Sequence, residues 1–233
     1  MTNAAGGTKS DAVYRRIRAD ILSAQLVPGQ RLKFPDMVAE YGVSVGVLRE
    51  ALNQLVAERL VSVQPNRGFQ VVTLSVEDLL ELTEARVELE SLVLRLSVGK
   101  GDTAWEARVI AAHHVLERTP VNADDDRPGR VSSDWSRVHA DFHQALLEGC
   151  ANVRLLATAM QLREEAELYQ HWAVSRGGLR PEQFAGEHRQ LRDAAVARDG
   201  ERAADLLRTH LVHTADAVLD GRPTAAAAAS AGT

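Results

Sequence analysis

The stretch "EYGVSVGVLREALNQL", residues 40 to 55, constrains the fold more than any other. Gly42 breaks one helical run, and Ser44 is placed to cap the next, which continues through about Ala57. Within that run Leu48, Ala51, Leu52, Leu55 and Val56 recur at i, i+3, i+4, i+7 and i+8, so one face is apolar and must be buried. Val45, Gly46, Arg49, Asn53 and Gln54 lie away from the stripe. A break, a cap and a second helix with a free polar face are what a helix-turn-helix requires.

The flanks agree. A helix starts near Ser10 or Asp11, either of which can cap it, and places Val13, Ile17 and Ile21 on one face. Residues 1–9 read as a disordered tail. "VPGQRL" is a turn on Pro28-Gly29, and a short helix with Met37, Val38 and Tyr41 as its apolar contacts follows Phe34-Pro35. After the second helix of the motif, "LVSVQ" and "FQVVTL" read as strands joined by the tip "PNRG". Three helices and a hairpin in residues 10–73 predict a winged helix-turn-helix.

On such a unit Arg49, on the second turn, is the residue best placed to reach a phosphate or a guanine. The Ser44 hydroxyl and the helix N-terminus can hold a phosphate, and Gly46 lets the backbone approach. Arg67 beside Gly68 suits a wing lying on the backbone or in the minor groove. Lys33 and Arg31 precede the short helix, where positioning contacts arise. The alternative for each of these cations is a solvated surface charge. The formal charge of the whole chain is −5, but residues 10–73 hold eight basic and six acidic side chains, while residues 74–233 hold 18 and 26. An acidic total therefore does not exclude a phosphate-facing N-terminal unit.

From Val76 to about residue 220 only helical periodicity is visible, in six segments separated by Asn, Gly, Pro and Asp signals. One separator is the polar loop "PVNADDDRPGRVSS". Aromatic residues make up 4%, and Ala, Leu, Val and Arg abound, which favours helices. The expected fold is mainly α: the winged unit followed by an all-α bundle, with a low-complexity, disordered tail over 221–233. The single cysteine, Cys150, excludes an intrachain disulfide and reads as a small buried apolar residue. With no signal peptide and no long apolar run, the expected compartment is the cytoplasm.

Two features in the bundle carry chemistry. His139 and His143 are i and i+4 on one helix and share a face. His188 and His210 lie 11 residues before and after Asp199 in the break "ARDGE". In an antiparallel helix hairpin they fall at the same height, roughly 16 Å from the turn. Four histidines from three helices can close on one metal ion in a bundle core. His113, His114, His171 and His213 read as surface or structural residues, and Asp141 points to another face. Nitrogen donors suit Zn, Ni or Cu better than Mg or Ca, with zinc the default. Separately, Arg86 sits in the apolar line Leu79, Leu82, Leu89, Val93. A buried guanidinium needs an anion. That is either an internal partner, such as a glutamate on a neighbouring helix, or the carboxylate of a bound effector.

The strings "LVPGQRL", "VSVGVLREAL" and "ERLVSVQPNRGFQV" resemble those of GntR-family transcriptional regulators, and the helical remainder resembles the FadR-type (FCD) ligand-binding domain of that family. The resemblance runs from about residue 11 to 218. It implies a homodimer that binds a palindromic operator and releases it on binding a small organic acid. It also supports the metal assignment: many members place Asp-x3-His on this helix, with two later histidines. Here His139 stands at the Asp position, and His143, His188 and His210 match the rest. The family commonly reads Ser-Arg-Thr-Pro where this chain has Ser44-Val45-Gly46-Val47, so the usual arginine base reader is missing at 45.

Three functions follow: an effector-responsive, metal-holding repressor; a metalloenzyme, such as a hydrolase, with an accessory DNA-binding domain; or an architectural DNA-binding protein. The enzyme reading leaves the helix-turn-helix unexplained, and the architectural one leaves the polar core of the bundle unexplained.

Overall fold

The structure is a computed structural model that describes residues 8–23, 25–65, 67–121, 131–175 and 181–220. It divides into two compact units between Ser75 and Val76. The expected disorder of residues 1–7 and 221–233, and most of the polar loop after Pro120, lie outside the described residues.

In the N-terminal unit, helix α1 spans Lys9–Leu22. It starts earlier than the sequence reading has it, and neither Ser10 nor Asp11 is the cap. Thr8 caps it, accepting from the Asp11 amide, and the Asp11 carboxylate returns a bond to the Thr8 amide. This capping box satisfies two free N-terminal donors at once. Lys9 is therefore helical, and Asp11 is the third helical residue. Val13, Ile17 and Ile21 are buried.

Strand β1, Arg31–Leu32, pairs antiparallel with β3, Gly68–Val71, and β3 pairs with β2, Val61–Gln64. The sequence gives no hint of β1, because two residues show no period. Its pairing places Leu32 opposite Phe69, and both are buried. Helix α2 is Phe34–Tyr41 and ends on Gly42 at φ 64°. Gly42 donates from its amide to the Val38 carbonyl, a left-handed termination that glycine adopts without strain. Helix α3 is Val45–Ala57. Its cap Ser44 accepts from the Val47 amide, and Leu48, Ala51, Leu52 and Leu55 are buried. Val56, at the edge of the stripe, is half-buried.

The C-terminal unit contains α4 (Val76–Lys100), α5 (Thr103–Arg118), α6 (Ser133–Leu147), α7 (Val153–Ser175), α8 (Ala185–Val196) and α9 (Gly200–Asp220). A 3-10 turn, Pro181–Phe184, leads into α8. Among the described residues this unit has no strand, and across the described chain no helix is long and apolar enough to cross a membrane. Its core joins Val93, Leu94 and Val98 of α4 to Trp105 and Val109 of α5, Phe142 and Leu146 of α6, Leu191 of α8 and Leu207 and Leu211 of α9. Each large side chain of this kind contributes roughly 1.5–3 kcal/mol on burial. Cys150 belongs to the same core.

Polar bonds fix the helix register. Trp105 donates from its indole to the Ala145 carbonyl at 2.8 Å, and Ser97 donates from its hydroxyl to the Leu146 carbonyl at 2.6 Å. Gly149 permits the second contact: a Cβ there would stand 2.5 Å from the Ser97 hydroxyl. Helix α6, which carries two of the four histidines, is thereby tied to α4 and α5.

Candidate functional site

The four histidines meet. His139 and His143 project from α6, His188 from the first turn of α8 and His210 from the middle of α9. One ring nitrogen from each can be chosen so that all four lie within 4.8 Å of one another. The His143 Nε2 is 3.2 Å from the His139 Nε2 and 3.3 Å from the His188 Nε2. The His188 and His210 ring centres are 4.8 Å apart, and His210 stacks on His143 at 5.1 Å. His143, His188 and His210 are buried, while His139 is half-buried.

Burial keeps these rings neutral. It pushes His139, His143 and His188 well below the ordinary imidazole range, with the nearby Arg163 guanidinium acting in the same direction. His210 is lowered less, because burial is opposed by its hydrogen bond to Glu187. Neutral imidazoles are metal ligands; imidazolium ions are not.

The donor set fits a divalent ion. A ring nitrogen carries one hydrogen or one in-plane lone pair, so the His143 Nε2 cannot make two good hydrogen bonds to two other Nε2 atoms. A shared cation satisfies all of them. Bonds of about 2.0–2.1 Å in a tetrahedral zinc site place donors about 3.4 Å apart, close to the two separations found.

The surroundings orient the rings. Trp135, one helical turn before His139, stacks on it with centres 4.7 Å apart and planes 16° apart. Phe184 sets its edge against His210. Glu187 accepts from His210 Nδ1 at 2.7 Å and from His213 Nδ1 at 2.8 Å. Burial would raise that carboxyl, but the two imidazole bonds outweigh it and leave it below the usual range. Beside the cluster lies a cavity of about 50 Å³, lined by Trp135, Glu167, Gln170, His171, Phe184, Thr214 and three of the four histidines, His139, His188 and His210. Three of these stand four residues from a cluster histidine, Trp135 from His139, Phe184 from His188 and Thr214 from His210, a spacing visible in the sequence. Gln170 and His171, the latter read as a surface or structural residue, lie on α7, which carries no cluster histidine, so no local spacing points to them. His113, read as a surface or structural residue, is buried against Phe142 and Arg192. Asp141 lies on the exposed face and pairs with Arg137.

Arg86 is buried, and its internal partner is on its own helix. Its Nε donates to Glu90 at 2.6 Å, and the other Glu90 oxygen accepts from Arg163 of α7 at 3.1 Å. Two buried guanidiniums share one fully buried carboxylate. The cavity beside the histidines is not lined by Arg86.

In the N-terminal unit the expected phosphate-facing residues are on the surface. Lys33, Ser44, Gly46, Arg49, Arg67 and Gly68 are all exposed. The Arg49 guanidinium lies over the Phe34 ring at 5.0 Å, and Phe34 meets Phe69 of β3 edge-on. Arg31 donates to the Arg67 carbonyl, which ties β1 to the wing tip. Gly68 sits at φ 82°, which explains why glycine follows Arg67 there.

A winged helix-turn-helix joined to a helical bundle with a buried polar centre defines a DNA-binding transcriptional regulator. Residues 9–71 match the model for bacterial regulatory proteins of the gntR family, and residues 81–213 match the FCD domain. The chain is 38% identical to the uncharacterized HTH-type transcriptional regulator BphR of Paraburkholderia xenovorans, over 86% of this chain and 81% of that one. It is 34% identical to the HTH-type transcriptional repressor GlaR of Escherichia coli, over 85% and 90%. A GntR transcriptional regulator from Rhodococcus sp. RHA1 has the same fold, with TM-score 0.71 and 25% identity over 93% of this chain and 100% of that one. The chain belongs to the GntR family, with an FCD domain as its C-terminal part. It is a transcriptional regulator and not the metalloenzyme that the histidines alone would allow.

Proposed function

We propose that the chain acts in the cytoplasm as a homodimeric repressor. It grips a pseudo-palindromic operator and is released by a small carboxylate effector held beside a divalent metal, zinc by default. The observation that carries this reading is the convergence of His139, His143, His188 and His210, neutral and largely buried, in the unit that does not read DNA. Bound there, the ion would supply a Lewis-acidic docking point for an anionic oxygen.

The chain's own residues do the rest. His139 is the least buried of the four and lines the cavity, so it marks the side from which an effector arrives. Arg86 is the proposed clamp for the effector carboxylate; because it is paired with Glu90 and stands off the cavity lining, it would serve only by exchanging Glu90 for the effector. On the N-terminal unit, Arg49 makes the major-groove contact, Ser44 and Gly46 bring the start of α3 onto a phosphate, Arg67 and Gly68 form the wing contact, and Lys33 positions. A dimer presents two such heads one DNA turn apart, roughly 34 Å. The effector releases the operator only by favouring a different arrangement of the heads. Repression is the outcome named for the relative GlaR.

The test is operator binding followed by fluorescence anisotropy while small carboxylates are titrated, for wild type, chelator-treated protein and His188→Ala. All three are expected to bind the operator, and only the wild type to be released. Unchanged release, together with an unchanged melting temperature, in both altered forms would sink the metal reading.

A further inference from the structure

We propose that Glu187 is the positioning residue that sets the metal-facing tautomer of His210, and that His213 is its second anchor rather than a ligand. This rests on the metal reading above. A carboxylate only accepts, so the His210 Nδ1 at 2.7 Å and the His213 Nδ1 at 2.8 Å must both carry hydrogen. In a neutral His210 that leaves the lone pair on Nε2, the nitrogen on the far side of the ring from Glu187. The ring itself packs against His188 and His143 of the cluster.

Each Glu187 oxygen takes one histidine. His210 and His213 are three residues apart on α9, so they rise on the same face, and one carboxylate bridges them. The bridge is half-closed to solvent: the Glu187 side chain is 27% exposed, His210 5% and His213 54%. His213 is therefore fixed by Glu187 at the rim, one turn from a buried ligand position, and His213 stands outside the group of four. Glu187 immediately precedes His188 on α8, so one turn of α8 supplies both a cluster nitrogen and the group that orients another. Carboxylates behind ligating histidines raise ligand basicity and hold the ring, and their loss typically weakens metal binding about 10–100-fold.

The experiment measures zinc affinity of the full chain by competition with a chromophoric chelator, for wild type, Glu187→Gln, Glu187→Ala and His213→Ala. In parallel, long-range 15N–1H spectra of the metal-free proteins report each histidine's tautomer. Glu187→Ala is expected to weaken zinc about 10–100-fold and to free His210 from the Nδ1–H form. Glu187→Gln, whose amide oxygen can still accept one Nδ1–H, is expected to fall between it and the wild type. His213→Ala is expected to lose less than tenfold. Wild-type zinc affinity in both Glu187 variants, or a His210 found in the Nε2–H form in the wild type, overturns the positioning role. A loss in His213→Ala as large as in Glu187→Ala overturns the anchor assignment. A wild-type chain that takes up neither zinc nor nickel overturns the metal reading itself, and the tautomer spectra tell that failure apart from this one.

Discussion

The two units place their chemistry in opposite settings. In the N-terminal unit the side chains proposed to meet DNA are charged, exposed and set on a small apolar frame: Arg49 over Phe34, Arg67 at a hairpin tip, Lys33 ahead of α2. In the C-terminal unit they are buried and in mutual contact: four imidazoles in one group, and two guanidiniums on one carboxylate. All eight histidines and all three tryptophans fall in the second unit. A surface that reads DNA can keep its charges in water until it binds. A sensor core has already desolvated its polar groups and holds them only through their partners. Changes in the first unit should therefore alter binding with little effect on stability, and changes in the second should alter both.

The largest expected effect lies in the core. Glu90→Gln leaves Arg86 and Arg163 buried without their counter-charge, and should destabilise the C-terminal unit by about 3–5 kcal/mol in urea unfolding followed by tryptophan fluorescence. A loss no greater than a surface substitution gives would mean that the triad is not closed to water. Next comes Arg49→Ala. It should weaken operator binding by about 1–3 kcal/mol while leaving the melting temperature and zinc affinity unchanged. An equal loss on operator and random DNA would place Arg49 on phosphate rather than on a base.

The smallest effect is the response of the metal-free chain to acid. His139, His143, His188 and His210 are held below the ordinary histidine value, so the folded unit binds fewer protons than the unfolded one. Its stability is complete above about pH 6.5 and declines as the pH falls below that. Tryptophan fluorescence melts across this range should show the decline, since every tryptophan reports on this unit. The N-terminal unit has no histidine and should not share it. A flat profile would indicate that the rings stay accessible to protons in the folded state.

The same contrast explains what was legible in the sequence. Periodicity revealed α3 and its buried stripe, because a stripe is local. It also gave the pairing of His139 with His143, at i and i+4, and of His188 with His210, whose equal distances from Asp199 only need α8 and α9 to fold back on each other. The Thr8-x-x-Asp11 capping pattern is local too, but Ser10 and Asp11 offer competing caps, and only the structure selects Thr8. Glu90, four residues beyond Arg86, is within reach of the same rule and is the internal partner, one of the two alternatives the sequence leaves open. Arg163 lies 73 residues from Glu90, and no local pattern points to it. Strand β1 exists only through its pairing with β3, and Glu187 reaches α9 only because of the crossing of α8 and α9. Neither leaves a periodic trace.

The central claim is that four imidazoles in the bundle hold a metal ion. Native mass spectrometry of the purified chain, after exposure to zinc and removal of the excess, tests it most directly. One divalent ion per chain is expected in the wild type, and none in the double variant His143→Ala, His188→Ala. A wild-type chain at its bare mass, or a double variant that keeps the ion, would contradict the account.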